Sequence, residues 1–159
     1  MSDTTTISTD AGVRHLLDRQ EIADLVHRLG RALDEGRFDD LRPLLVEDAT
    51  VRTPGGTAAG RDALVAQAGR NHRADENIQH VVTNLLIDLD GDRATVRANL
   101  VVYFAPLSGT AEGAVAPAVQ CAMGEVYRFA VVRTPEGWRF SRIETTPVWM
   151  SGSREIGAA

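Results

Sequence analysis

Hydrophobic residues in the first part of this chain recur with helical spacing. Over residues 13–35 they stand three or four positions apart and form a broad apolar stripe, which predicts a long first helix. Gly36 is suited to end that helix, and a second, short helix is predicted over residues 37–45. A short strand at 48–52 and a third helix at 61–69 are expected next.

The second half of the chain has the composition and spacing of strands. Residues 78–89 and 93–104 flank Asp90-Gly91-Asp92, and residues 120–133 and 138–148 flank a second turn, which predicts two hairpins. Helices followed by a largely antiparallel sheet indicate an α+β fold. We expect a disordered leader over 1–11, one domain over 12–150 and a flexible tail over 151–159.

The strand over 93–104 carries apolar residues on both faces. One face holds six apolar residues in alternation, and the other holds Asn99, Val101 and Tyr103 beside Arg97. One face could pack on helices while the other lines an enclosed cavity, or a dimer interface could cover it. The pattern alone leaves both interpretations open.

Composition narrows the chemistry to acid–base catalysis. The net charge of −5 gives no electrostatic basis for binding nucleic acid or a membrane, and no apolar run is long enough to span a bilayer. No targeting segment is recognised, so a cytoplasmic location is expected. All 17 basic residues are arginine, which excludes a Schiff-base lysine. Cys121 is the only cysteine and is expected to be buried; no metal or cofactor is predicted.

His80 is the strongest candidate for a general base, because it lies at the start of an apolar strand where few side chains could pair with it. Its best partner is Asp34, at the end of the first helix. The alternatives are a histidine satisfied by backbone or water and a solvated carboxylate. His15, His27 and His72 are expected at the surface.

Four stretches of the chain resemble the SnoaL-like branch of the nuclear transport factor 2-like superfamily: 18–26, 32–41, 79–84 and 137–140. The resemblance implies a cone-shaped, curved, mixed and mostly antiparallel sheet wrapped around the long N-terminal helix. Two shorter helices would complete the cone, which would enclose a pocket. It also implies association as a homodimer or homotrimer.

By position, Asp34 and His80 are similar to the Asp–His pair of the dehydratases and the dehydrochlorinase of that family. Arg142 matches an arginine that supports the leaving group or the substrate, and Asn99 stands near the place of a second histidine. Leu29 occupies the position where some relatives carry a leaving-group acid. Separately from the resemblance, the aromatic residues Tyr103, Tyr127 and Trp149 are candidates for substrate contacts.

The function predicted is a cofactor-independent enzyme of the dehydratase, isomerase or cyclase type. It would act on a small apolar, oxygenated metabolite of polyketide or aromatic secondary metabolism. The alternatives are a non-catalytic ligand-binding or subunit-assembly module and an epoxide hydrolase.

Overall fold

The fold consists of an N-terminal helical part and one six-stranded sheet, as seen in a computed structural model that describes residues 9–154. The helical elements are α1 (Thr9–Asp34), a 3₁₀ helix (Phe38–Leu44) and α2 (Arg61–Asn71). The strands are β1 (Leu45–Thr53), β2 (Gly56–Ala59), β3 (Glu76–Asp90), β4 (Arg93–Pro106), β5 (Cys121–Thr134) and β6 (Gly137–Gly152). The predicted α+β class is confirmed.

The strand order is β2-β1-β6-β5-β4-β3, and every neighbouring pair is antiparallel except β1 and β6. The sheet is therefore mixed and mostly antiparallel, as expected. A register shift interrupts β3 between Thr83 and Leu86. Two more interrupt the pairing of β5 with β6, where the extra residues lie on β6; such bulges bend a strand. Asn84, inside the β3 irregularity, has a φ of 55°, which asparagine tolerates better than most residues.

Several predicted boundaries need correction. The first helix starts at Thr9, so residues 9–11 of the expected leader are helical, while residues 1–8 lie outside the described residues. The strand predicted at 48–52 extends over residues 45–53 and pairs with β2. Strand β2 was not predicted, because its four residues are small and lack an apolar alternation. The last strand extends to Gly152, into the expected tail.

The core lies between α1 and the concave face of the sheet. The alternation predicted for β4 is confirmed, since Ala94, Val96, Ala98, Leu100, Val102 and Phe104 are all buried. Of the two interpretations left open for this strand, the one that places helices and cavity on opposite faces is wrong. This one face packs on the core and, over residues 100–104, also lines the cavity.

A partly buried ion pair connects the first half of α1 to the end of β5. Arg133 donates two hydrogen bonds to the Asp18 carboxylate, at 2.8 and 2.7 Å. The indole of Trp138 also donates to Asp18, and Arg133 lies over the Trp138 ring. The hydrogen bond from Arg133 is the main cause that lowers the pKa of Asp18. These contacts hold α1 against the sheet.

Replacing Asp18 by Asn is expected to lower the free energy of unfolding by about 2 kcal/mol, because Arg133 would lose the charged acceptor of two hydrogen bonds while keeping its ion pair with Asp92. Since the pKa of Asp18 is lowered in the folded state, its contribution is complete above the ordinary carboxyl pKa and is lost as the pH falls through the lowered value. Urea titrations at neutral and acidic pH measure both effects. Asp39→Asn, at a carboxylate that is 90% exposed, is the control and should change little. Equal losses in the two variants would contradict the prediction.

Among the described residues, no helix combines the length and apolar character required to cross a membrane.

Candidate active site

A cavity of about 180 Å³ lies between the end of α1, α2 and the concave face of the sheet. Its lining is mostly apolar and includes Leu29 and Leu33 from α1, Leu64 from α2, and Leu100, Val102 and Phe104 from β4. Few polar side chains reach it, and they come from several elements. This combination of apolar walls and a few convergent polar groups is typical of small-molecule sites.

His80 and Asp34 meet at this cavity. The His80 Nδ1 atom is 2.7 Å from Asp34 Oδ1, and the backbone N–H of His80 donates to the same oxygen at 2.8 Å. The His80 side chain is 11% exposed and the Asp34 side chain 27%. Gly30, one turn before Asp34, faces His80; a Cβ on Gly30 would stand 3.9 Å from the His80 Cβ, an ordinary van der Waals contact.

The hydrogen bond defines the tautomer of His80. An ionised carboxylate only accepts, so the proton of a neutral imidazole lies on Nδ1, and Nε2 carries the free lone pair. His80 lines the cavity, so its imidazole borders the space that a bound molecule would occupy. Asp34 also stabilises the imidazolium that forms when Nε2 takes a proton. The pair therefore has the geometry of an oriented general base.

Tyr127, predicted from sequence as a substrate contact, lies at the same cavity on β5. It is buried, and burial raises the pKa of its hydroxyl, assisted by the negative charges of Glu125 and Asp34. The phenol is consequently neutral at pH 7. It can donate or accept a hydrogen bond but does not ionise.

Glu125 is a site residue that sequence reasoning missed. It lines the cavity two residues before Tyr127 and is 6% exposed. Burial is the main cause that raises the pKa of Glu125, while the Thr145 hydroxyl and the positive charge of protonated His80 lower it. A signal was present in the sequence: on the buried face of β5, Glu125 is the charged member of an otherwise apolar alternation.

His72 was expected at the surface, and this expectation is wrong. It follows the last residue of α2, lines the cavity and packs edge-on against Phe38. Burial lowers its pKa, opposed by backbone groups of Leu33 and Ala68, so the neutral form is favoured. The position was missed because one histidine at a helix end has no periodic context.

Four buried side-chain polar atoms of residues 9–154 have no hydrogen-bond partner, and all four belong to residues that line the cavity. They are Gln67 Oε1, His72 Nε2, Glu125 Oε2 and Thr145 Oγ1. Buried polar groups are normally paired, because an unsatisfied one costs about 1–3 kcal/mol. Their concentration here indicates a space that receives a polar molecule.

The other four predicted substrate contacts lie away from the cavity. Asn99 and Tyr103 point to the convex face of β4, where Arg97 donates to Asn99. Arg142 is exposed on β6, next to the cavity residue Ile143, and Trp149 is 48% exposed. Strand alternation is the reason for Asn99, Tyr103 and Arg142, since each lies one residue from a cavity residue on its own strand. Trp149 lies four residues beyond the cavity residue Thr145, past a register shift in the pairing of β5 with β6.

Trp149 packs across Gly124, its register partner on β5. A Cβ on Gly124 would come within 2.2 Å of the indole. Gly124 alternates with Met123 and Glu125, which line the cavity, so this contact lies on the convex face.

Arg154, the last residue that the structure describes, is held by several contacts. Arg154 forms an ion pair with Glu76 at 2.8 Å, donates to the carbonyl of Asn71 and lies over the Phe104 ring. It also borders the cavity. Part of the segment predicted as a flexible tail is therefore fixed, and residues 155–159 lie outside the described residues.

Within residues 9–154, no three histidine, cysteine or acidic side chains converge in a way that could hold a metal ion. The one cysteine, Cys121, is buried, as expected.

Comparison with known proteins gives the same fold. The SnoaL-like domain matches residues 14–144. An uncharacterized protein of Mycobacterium tuberculosis is 33% identical over 84% of this chain and 88% of its own length. A solved NTF2-like protein with a cystatin-like fold from Novosphingobium aromaticivorans is 30% identical, with a TM-score of 0.72. The match covers 91% of this chain and 90% of that protein's chain. The hexachlorocyclohexane dehydrochlorinase LinA is 19% identical, with a TM-score of 0.73 over 93% of this chain and 97% of its own, and shares the fold.

Proposed function

The chain belongs to the SnoaL-like domain family, and from its site we propose that it is a cofactor-independent enzyme of small-molecule acid–base chemistry. His80, oriented by Asp34, removes a proton from a carbon atom next to a carbonyl or a leaving group. Elimination, isomerisation or ring closure then follows from the carbanionic intermediate. The observation that carries this proposal is the 2.7 Å contact between His80 and Asp34 at the wall of a cavity.

The site supplies the parts that this chemistry requires. A base must present a lone pair to the substrate, and the Asp34 contact leaves that lone pair on His80 Nε2. A developing oxyanion needs hydrogen-bond donors in a dry environment, and the buried Tyr127 hydroxyl is one such donor. The apolar lining excludes water and thereby strengthens both interactions.

The lining also indicates the class of substrate. Walls of leucine, valine and phenylalanine favour an apolar carbon skeleton, and the four unpartnered polar atoms favour oxygen substituents on it. A cyclic or aromatic ketone with further oxygen substituents has this character, in keeping with polyketide-like metabolites. Epoxide opening fits less well, because Asp34 orients His80 through Oδ1 and is not itself among the residues that line the cavity.

Solvent deuterium exchange tests the proposal without knowledge of the natural substrate. A panel of alkyl-substituted cyclohexanones and tetralones is first screened for binding by protein NMR, and each ligand that binds is incubated with the protein in D₂O. We expect exchange of the α-protons to be faster than in buffer and to depend on His80. Ligands that bind and exchange at the buffer rate would instead support a non-catalytic binding module on this fold.

A further inference from the structure

We propose that Glu125 is the general acid of this site and that its carboxyl O–H protonates an oxygen leaving group while His80 removes the carbon-bound proton. The inference rests on the proposed function and adds to it the kind of bond that is broken. It assigns the reaction to the dehydration of an apolar ketone that carries a hydroxyl group on the β-carbon. Leu29 cannot perform this task, since a leucine side chain has no acidic proton to donate.

The position of Glu125 carries the argument. The side chain is buried, it borders the cavity, and its Oε2 atom has no hydrogen-bond partner among the described residues. Thr145 on β6 borders the cavity beside it, and its hydroxyl is near enough to lower the pKa of the Glu125 carboxyl, but neither Thr145 Oγ1 nor Glu125 Oε2 has a partner with full hydrogen-bond geometry. A carboxyl group used only for structure would be expected to have its oxygens paired.

The charged surroundings leave Glu125 without a permanent counter-ion. In the part of the chain that the structure describes, the one arginine that borders the cavity is Arg154, which is paired with Glu76. Of the titratable groups, His80 from β3 and Tyr127 on its own strand interact electrostatically with Glu125. His72 from the end of α2 lines the same cavity, and Asp34 from α1 acts on Tyr127 and is paired with His80. Desolvation therefore dominates and raises the pKa of the Glu125 carboxyl, which favours the protonated form that an acid catalyst needs.

The step balances without any further reagent. The C–H electron pair forms the new C=C bond, and the C–O pair leaves with the oxygen, which takes the Glu125 proton and departs as water. His80 ends as an imidazolium and Glu125 as a carboxylate, and these opposite charges attract each other. Transfer of the proton from imidazolium to carboxylate through a water molecule restores both groups.

Two probes that differ only in the leaving group test this role. A β-hydroxycyclohexanone needs a proton on its leaving oxygen, whereas its β-chloro counterpart releases chloride without one; both give the same enone, which is followed by its ultraviolet absorbance. We expect Glu125→Gln to lower kcat/KM for the hydroxy substrate by roughly 10²–10³-fold and for the chloro substrate by less than about threefold. Equal losses on the two substrates would mean a structural role and would overturn the proposal.

The deuterium-exchange assay separates this proposal from the one on which it rests. Exchange needs only the base His80, and we therefore expect it to persist in Glu125→Gln. Absence of exchange in the wild-type protein would refute the proposed function itself. Tyr127→Phe is the control for the neighbouring hydroxyl. If that variant selectively lost activity on the hydroxy substrate while Glu125→Gln kept it, the acid would be Tyr127 and the proposal would be overturned.

The wild-type protein provides a second measurement if Glu125→Gln does not fold. Because only the protonated carboxyl can act as the acid, kcat/KM for the hydroxy substrate should fall as the pH rises through the raised pKa of Glu125. The chloro substrate should show no such decline. The same decline with both substrates would contradict an acid that serves the leaving group.

Discussion

Replacing His80 by Gln is expected to lower kcat/KM for α-proton exchange by about 10³-fold or more, toward the rate in buffer. Glutamine fills a similar volume and keeps the backbone N–H that donates to Asp34, but it has no basic lone pair. General-base catalysis typically contributes about 10²–10⁴-fold, so its removal should dominate any change in binding. The measurement is the initial rate of deuterium incorporation, by mass spectrometry, into a ketone that has been shown to bind.

A matched control is available on α1. His27 is solvent-exposed, with a side chain that is 60% accessible, and His27→Gln should leave the exchange rate unchanged. Thermal unfolding of both variants establishes that the fold persists. If His80→Gln retained more than about a tenth of the wild-type rate, the base would have to be another group, and His72 would be the next candidate because its Nε2 lies unpartnered at the same cavity.

The fold was largely predictable because its long elements have strong periodicity. α1 and the four long strands have apolar faces that repeat over many residues, and Asp90-Gly91-Asp92 marks a tight turn where Gly91 adopts a φ of 58°. The short β2 carries no such repeat and was missed. Its existence depends on pairing with β1, a contact that no local pattern encodes.

The site was predictable only where chemistry and position coincided. His80 interrupts an apolar strand and Asp34 ends a helix, so each was unusual in its place, and the structure joins them. The substrate contacts were less successful because the sequence could not specify which face of the sheet is concave. Asn99, Tyr103, Arg142 and Trp149 lie away from the cavity, whereas Tyr127 and the overlooked Glu125 line it.

The convex-face residues therefore provide a comparison set for cavity variants. Arg142→Ala and Asn99→Ala should leave exchange and ligand binding within about twofold of the wild type, since surface substitutions generally change little. Loss of activity in either would return the residue to the site and would require a different arrangement of the cavity.

Replacing Asp34 by Asn is expected to lower the exchange rate by about 10²–10⁴-fold while preserving the fold. Both hydrogen bonds from His80 end on Asp34 Oδ1, and of the two orientations of an asparagine amide only the one with its oxygen toward His80 can accept both. With its oxygen toward His80, the amide keeps the tautomer but lacks the charge that stabilises the imidazolium. With its nitrogen toward His80, it forces the proton onto Nε2 and removes the lone pair from the cavity.

Nitrogen chemical shifts of His80 distinguish these two orientations, and the exchange assay gives the size of the loss. Asp24→Asn, on an exposed part of the same helix, is the matched control and should retain the wild-type rate. A double-mutant cycle then isolates the coupling: in a His80→Gln background the further change Asp34→Asn should cost almost nothing, because the base it orients is already absent. A large additional loss in the double variant would show that Asp34 acts on the substrate directly, and the oriented-base mechanism would have to be abandoned.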